Sequence, residues 1–432
     1  MNRKSKTILI KALVICTLMS IVFFVYQKNR TIHIEFGLFA GSNWNVPISE
    51  CYKIYDEAIR EFEKEYPNIK VTYRSGALRE DYSEWVAQKI LNGNEPDVFI
   101  VPEEDFNTFS SIGMLEDLNA YIEKDHEFEL DAFYDKALEA GMYDDKRYSV
   151  PMEIVPSLMC VNVTLLNKEG IVLPENDWTW GEFYKICKDV TKDTDGDHII
   201  DQFGVYGYQW DQAFYSNGQV LFDEKGKTLQ FMDAAMVETI DLVKNLNQLN
   251  LGVKVTAKDF DTGKVAFRPF TLAEYRAYRD YPYSIKKYSA FQWKYVSFPK
   301  GPGGENIAES TPLLIGMSSR TKEGKAAWEF IKYLTYNVET QLNVWDYTNG
   351  MPANKRAVEK IFERQKTGVA GVLDYEMLSN LIEDSVISLR FKKYNQIKEV
   401  IDQIIYLGII EEKNAGQLVR DIKREVNKQL LE

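Results

Sequence analysis

The stretch DTDGDHIID, residues 193–201, places four carboxylates within nine residues, three of them strictly alternating. Like charges that close together repel, so either water screens them on a surface turn or a cation gathers them in. Asp193, Asp195 and Asp197 fit the first, third and fifth places of a calcium loop. The carbonyl of Ile199 and the carboxylate of Asp201 fit the seventh and ninth. Hard oxygen ligands of this kind suit Ca²⁺ better than Zn²⁺. The match to an EF-hand is incomplete, because Gly196 falls fourth instead of sixth and Gly204 stands where a bidentate Glu belongs. A structural calcium site and a solvated Asp/Gly turn both stay open at this point.

Other chemistry has little material to work with. The chain holds three histidines, His33, His126 and His198, and no G-x-S-x-G elbow, which leaves histidine-dependent catalysis poorly supplied. Cys51, Cys160 and Cys187 are widely spaced, without metal-ligand spacing, and read as free thiols. The first thirty residues carry six Lys/Arg and no Asp/Glu. The rest therefore holds 46 basic against 65 acidic residues, a net −19, which argues against nucleic acid or anionic lipid as a partner. Aromatics are plentiful, with 26 Tyr, 23 Phe and 8 Trp. Those not needed in a core would suit a ligand with apolar faces and polar edges, such as a sugar.

The N-terminus is set apart. A basic MNRKSK precedes ILIKALVICTLMSIVFFVY, interrupted only by Lys11. This is a secretory pattern of spanning length, and no small-x-small site follows it between Phe23 and Arg30. Residues 1–30 therefore read as a signal peptide or signal anchor, with an uncleaved anchor favoured. Lipidation at Cys16 is the weaker alternative, because Ile15 stands where a small residue is expected. The basic residues before the apolar run outweigh those after it, which places the bulk of the chain outside the cell.

The elements that follow must position any site. Ile32, Ile34 and Phe36 alternate as in a strand. Residues 50–65 carry Tyr55, Ala58, Ile59 and Phe62 on one helical face. The run YPNIKVTYRSG starts a second strand, DYSEWVAQKILNG gives a helix closed by Gly93, and EPDVFIV gives a third strand. Strand and helix alternating over seventy residues predicts a parallel sheet, whose ligands bind at the carboxyl ends of the strands. Further on, RYSVPMEIVPSLMCVNVTLL is a buried extended run with Pro151 and Pro156, TWGEFYKICKDVT is a helix capped by Thr179, and the last sixty residues are mostly helical. The length of 432 residues argues for two domains, and the chain offers no low-complexity tether between them.

In order, these segments resemble the family-1 extracellular solute-binding proteins, the sugar-binding receptors of bacterial ABC importers. The motifs that carry the resemblance are Pro96-Asp97-Val98 on the third strand, the Tyr148 and Pro151 hinge run, and Asn162 opening a helix. DWTWGEFYKI, FDTGKVAF (Phe260 to Phe267), PLLIGMSSRTKEGKAAWEFIKYLT and NGMPANK continue the order. The resemblance implies an α/β, two-lobed periplasmic-binding-protein fold, type II-like, with the ligand cleft between lobes joined by crossing hinge strands. Those hinges would pass near residues 152–156 and 312–317. The first lobe would hold residues 31–152 plus about 317–350, and the second 153–316 plus about 351–432. It implies a monomeric receptor, not an enzyme, on the extracellular face of a bacterial membrane. The receptor would deliver a mono- or oligosaccharide to the transmembrane subunits of an ABC permease. A sensor subunit for a signalling kinase and a secreted carbohydrate-active hydrolase are the alternatives.

On that fold, the ligand-binding candidates sit on loops at strand ends: Asn43 and Trp44, Glu103, Glu153 in the hinge, Trp210 and Asp211, Trp293, and Tyr347. Aromatic faces would stack on sugar rings, and carboxylates or amides would take the hydroxyls. Trp44, Glu153 and Trp210 stand out, with the two tryptophans expected on opposite walls. No cofactor is required beyond the calcium reading of the 193–201 loop, which would support a lobe and not the sugar. The charge- and aromatic-rich RAYRDYPY and KKYSAFQWK read as a solvated face, and the NVT sequon at Asn162 as chance because it falls in a buried run.

Overall fold

The computed structural model describes residues 30–431 except 45, 47, 49, 75, 224–225, 281–290, 367–374, 388–390 and 392. The apolar run read as a signal or anchor, Cys16 included, lies outside the described residues, as does part of the two basic aromatic stretches. Among the described residues, no helix is long and apolar enough to cross a membrane.

One continuous sheet path organises the chain. Its strands are β1 (Ile32–Gly37), β2 (Ile69–Tyr73), β3 (Val98–Ile100), β4 (Met142–Tyr143), β5 (Lys146–Arg147), β6 (Ser149–Asn162), β7 (Phe203–Val205), β8 (Val265–Thr271), β9 (Trp293–Val296), β10 (Ser310–Met317) and β11 (Met351–Pro352). The order is β2-β1-β3-β10-β6-β8-β7, with β9 and β11 also paired to β6 and a separate β4-β5 hairpin. β1 is parallel to both β2 and β3, as the strand–helix alternation requires.

The fourteen-residue β6 is the crossing element. Its first half, Ser149 to Pro156, pairs antiparallel with β10 in the sheet that contains β1–β3. Its second half, Ser157 to Asn162, pairs with β8 and β9. Strand carboxyl ends from both halves converge on this crossing. β1 and β3 run in the direction of the first half of β6 and end beside it, whereas β8 runs back along the second half and ends at Thr271 opposite Ser157. Pro151 and Pro156 interrupt the hydrogen-bond pattern that a strand needs. The register slips by one residue between the Pro151 and Glu153 pairings, so Met152 is bulged and Pro151 sits beside the irregularity. Bulges bend a strand and re-aim the neighbouring side chain, here Glu153.

Two buried clusters fill the molecule, and the first extends past the crossing to Phe203, Val265, Phe270 and Tyr295. The first includes Phe36, Phe62, Phe99, Ile154 and Ile315, and the second Phe183, Phe214, Phe267, Ile401 and Ile422. Helix Lys53–Glu65 buries Ile54, Tyr55, Ala58 and Phe62, so the expected face is rotated slightly toward Ile54 and away from Ile59. Gly93 closes its helix with φ +67°. Thr179 caps helix Trp180–Val190 in a reciprocal box with Glu182. Asn162 is buried, caps the next helix through Leu165 N–H, and donates to the Gly263 carbonyl.

The chain beyond residue 351 divides between the two clusters. Helices Lys355–Lys366 and Tyr375–Glu383 belong to the first cluster, through Ala357, Val358, Ile361, Leu378 and Ile382. Lys355–Glu383 ties the two helices to each other, and Tyr134–Ser379 and the Asp135 N–H on Glu383 tie the second of them to the start of helix Asp135–Glu139. Only helices Tyr394–Ile410 and Ala415–Leu431 join the second cluster. The reason is the short β11, which pairs with Ile154 and Glu153 and keeps the chain on the first side for two more helices.

Candidate functional site

Glu153 stands at the middle of the crossing, on β6 between Leu313 of β10 and Pro352 of β11. It is fully buried, 0% exposed. Three donors hold its carboxylate. Asn43 Nδ2 reaches Oε1 at 2.8 Å, Trp44 Nε1 reaches Oε2 at 2.7 Å, and Thr348 Oγ1 lies 3.0 Å from Oε2. Asn43 and Trp44 come from the loop after β1, at the carboxyl end of a parallel strand, and remain half-buried. Gly350 closes the group: a Cβ there would sit 2.2 Å from Glu153 Oε2 and 2.6 Å from Trp44 Nε1, so only glycine fits.

Burial pushes the Glu153 carboxyl up from 4.5 to about 7, against the opposing pull of the Trp44, Thr348 and Asn43 hydrogen bonds and the Arg276 charge. A carboxyl raised in the fold binds its proton there while the unfolded chain has released it. Its contribution is therefore complete below about pH 4.5 and lost as pH rises through 7. Across that window the fold loses on the order of 3 kcal/mol to this group. Melting temperatures from pH 5 to 8 should fall more steeply for the parent than for Glu153→Gln, and parallel curves would contradict the assignment.

Arg276 completes the surroundings. It lies on helix Leu272–Asp280, which follows β8, and is 5% exposed. Its Nη atoms donate to the carbonyls of Gly350 and Trp345, each at 2.5 Å, and its guanidinium lies 3.7 Å from the Trp345 ring centroid. The solvated-face reading of RAYRDYPY fails here. Arg276 and its neighbour Tyr275 are both buried, because helix Leu272–Asp280 folds its Leu272, Ala273 and Tyr275 into the first cluster.

The sequence and the fold match known proteins. Residues 46–338, more than half of the chain, match the family model for bacterial extracellular solute-binding proteins. The chain belongs to this family. A multiple sugar-binding protein of Streptococcus mutans is 23% identical over 293 residues, which is 64% of this chain and 66% of that protein, just under two thirds of its length. The sugar-binding protein MalE from Xanthomonas citri matches the fold with a TM-score of 0.75 at 14% identity, over 92% of this chain and 97% of that one. The ABC substrate-binding protein Lmo0181 from Listeria monocytogenes, solved with cycloalternan, matches with a TM-score of 0.70 at 20% identity, over 93% and 99%. The two-lobed architecture expected from the sequence is therefore that of this solute-binding protein.

The other candidates of this solute-binding protein are placed as follows. Glu103 opens a short 3₁₀ turn directly after β3 and is half-buried at the crossing-ward end of that strand. Tyr347 is turned to helix Lys53–Glu65, with its hydroxyl 3.3 Å from Glu57 and Lys53 4.5 Å from its ring centroid. Trp293 is half-buried on β9, its ring 4.8 Å from that of Tyr275.

Trp210 begins helix Trp210–Ser216 beyond β7, but it is 4% exposed and packs edge-on against Phe214 in the second cluster. Its indole N–H is taken by Asp402 at 2.5 Å, and Asp211 pairs with Lys398 at 2.5 Å. Burial would lower the Lys398 ammonium, and the Asp211 carboxylate more than offsets this and raises it. Both residues thus spend their polar atoms on helix Tyr394–Ile410. Trp210 is lobe core here, and the expected wall opposite Trp44 does not rest on it.

Asp193, Asp195 and Asp197 each offer a carboxylate oxygen, and these lie within 4.8 Å of one another. Asp193 accepts the backbone N–H groups of Gly196, His198 and Asp195, which hold its carboxyl below the usual range. Asp201 is turned away, accepting from Thr194 and lying 3.6 Å from Lys264. The Ile199 side chain is exposed. The loop precedes β7, at the end of that strand remote from the crossing.

Sequence reasoning missed Thr348, Gly350 and Arg276. The first two stand in TNGMP, whose glycine marked a close approach. Arg276 carried no signal, because only the fold brings it to the Trp345–Gly350 turn.

Proposed function

We propose that this protein captures a carbohydrate between its two lobes at the outer face of a bacterial cell and passes it to the transmembrane subunits of an ABC permease. The observation that carries the reading is the Glu153 group. A hinge carboxylate fixes the edge of a half-buried Trp44 at a strand's carboxyl end, which leaves the ring as a platform for a sugar face. The S. mutans relative is named for binding multiple sugars, and the Listeria neighbour was solved with cycloalternan, which supports an oligosaccharide. The chain acts as a receptor without chemistry of its own. Glu153 is sealed and triply hydrogen-bonded, a state suited to positioning and not to proton transfer. A thermal-shift screen of mono- and oligosaccharides tests this. A true ligand at a hundredfold its Kd stabilises by about 2.7 kcal/mol. No shift from any sugar, with shifts from another solute class, would overturn it.

Residues 8–26 hold the monomeric receptor at the membrane without cleavage, on the strength of their apolar length and the lack of a small-residue site after them. A mature chain starting between residues 20 and 35 in the medium, or a lipid mass on Cys16, would contradict this.

In the same reading the Asp193 loop supports the second lobe, as a structural calcium site away from the sugar. Adding calcium to chelated protein should raise the melting temperature and leave sugar affinity unchanged. A change in affinity without a change in melting would place the loop at the ligand.

A further inference from the structure

We propose that Arg276 is a positioning residue of the solute site, acting through the Trp345–Gly350 turn to hold Trp44 in place. This rests on the proposed site at Trp44. Arg276 belongs to the helix that leaves β8, in the sheet joined to the second half of β6. Its acceptors belong to a different segment. Trp345 O lies near the carboxyl end of helix Val338–Tyr347, and Gly350 O immediately precedes β11. A cation at a helix C-terminus meets carbonyls that lack helical partners and the negative end of the helix dipole. A guanidinium engages two such carbonyls from two nitrogens held in one plane, whereas an ammonium must reach both from one nitrogen on a shorter stem. Its plane is also held by the Trp345 ring at 3.7 Å.

The residues between those two carbonyls are the ones that touch the Glu153 group. Thr348 Oγ1 lies 3.0 Å from Glu153 Oε2, and the Gly350 N–H donates to Thr348 Oγ1 at 3.1 Å. The Gly350 Cα leaves no room for a Cβ against Glu153 and the Trp44 indole nitrogen. Arg276 therefore clamps both ends of a turn whose middle packs against the edge of Trp44. The clamp joins the helix after β8 to the turn before β11. Its loss should loosen Trp44 and weaken binding although Arg276 does not touch the solute.

The test uses the full chain labelled with 5-fluorotryptophan, in which the ¹⁹F resonance lost in Trp44→Phe belongs to Trp44. In Arg276→Met the Trp44 resonance should shift or broaden in the absence of any sugar, and affinity for a sugar found by screening should fall at least about tenfold. Arg276→Lys keeps the charge beside Glu153 but loses the planar two-nitrogen reach to the carbonyls and the flat contact with the Trp345 ring, so it should restore folding and only part of the affinity. An unchanged Trp44 resonance in Arg276→Met would overturn the proposal, as would full rescue by Lys. Should Met fail to fold, the Lys variant alone decides, since parent-like resonance and affinity there also overturn it. Because the resonance is read without sugar, a parent that binds no sugar would count against the receptor reading and leave this test standing.

Discussion

Glu153→Gln is expected to weaken sugar binding by at least about tenfold while the protein stays folded. The carboxylate accepts from the Asn43 amide, the Trp44 indole and the Thr348 hydroxyl. An amide has one oxygen to offer and presents its own NH₂ on the other side. With its oxygen on the Trp44 and Thr348 side, that NH₂ faces the Asn43 amide, which must flip to meet it with its oxygen. Gly350 packs too closely to let the side chain turn away. The flip takes the Asn43 NH₂ off its acceptor, at a cost of about 1–3 kcal/mol, and Trp44 keeps a neutral acceptor in place of a charged one. The fold itself should gain above pH 7, because a neutral side chain replaces a carboxylate that burial disfavours. Stability and affinity thus move in opposite directions above neutral pH, which calorimetry and melting curves read separately. A Gln variant that binds like the parent would show that Glu153 does not set the ring.

Trp210→Ala is expected to cost about 3–5 kcal/mol of stability, the range for truncating a large buried aromatic. The ring is 4% exposed, packs on Phe214, and gives its N–H to Asp402. Removing it also strands an Asp402 carboxyl that burial already raises. Chemical denaturation measures the loss. A variant as stable as the parent but weak in sugar binding would return Trp210 to the solute wall.

Much of the architecture was legible because period and punctuation carry it. Ile34 and Phe36 are buried on β1, Gly93 takes a positive φ, and Thr179 forms its cap, each for a reason local to the chain. The long crossing strand was legible as a buried extended run broken by Pro151 and Pro156. The lobe boundary after it was not, since β11 has two residues and no periodicity to read. At the site, Asn43, Trp44 and Glu153 converge because strand-end loops and hinges are where such folds place ligands. Trp210 sits at an equally suitable strand end and is nevertheless spent on helix Tyr394–Ile410. Its partner Asp402, and the Lys398 that pairs with Asp211, lie nearly two hundred residues away, beyond any local pattern. Arg276 shows the converse case. A charged residue in a polar aromatic run reads as solvated until tertiary contacts supply two carbonyls and a ring.

Calorimetric titration of a screened oligosaccharide into the parent and into Trp44→Ala, side by side, addresses the central claim most directly. Loss of one stacked ring should cost on the order of 1–3 kcal/mol, roughly ten- to a hundredfold in affinity. The account predicts saturable one-to-one binding by the parent and a weakening of that size in the variant, with the fold intact by circular dichroism. Equal affinities for the two proteins would contradict a sugar site at Trp44 between the lobes.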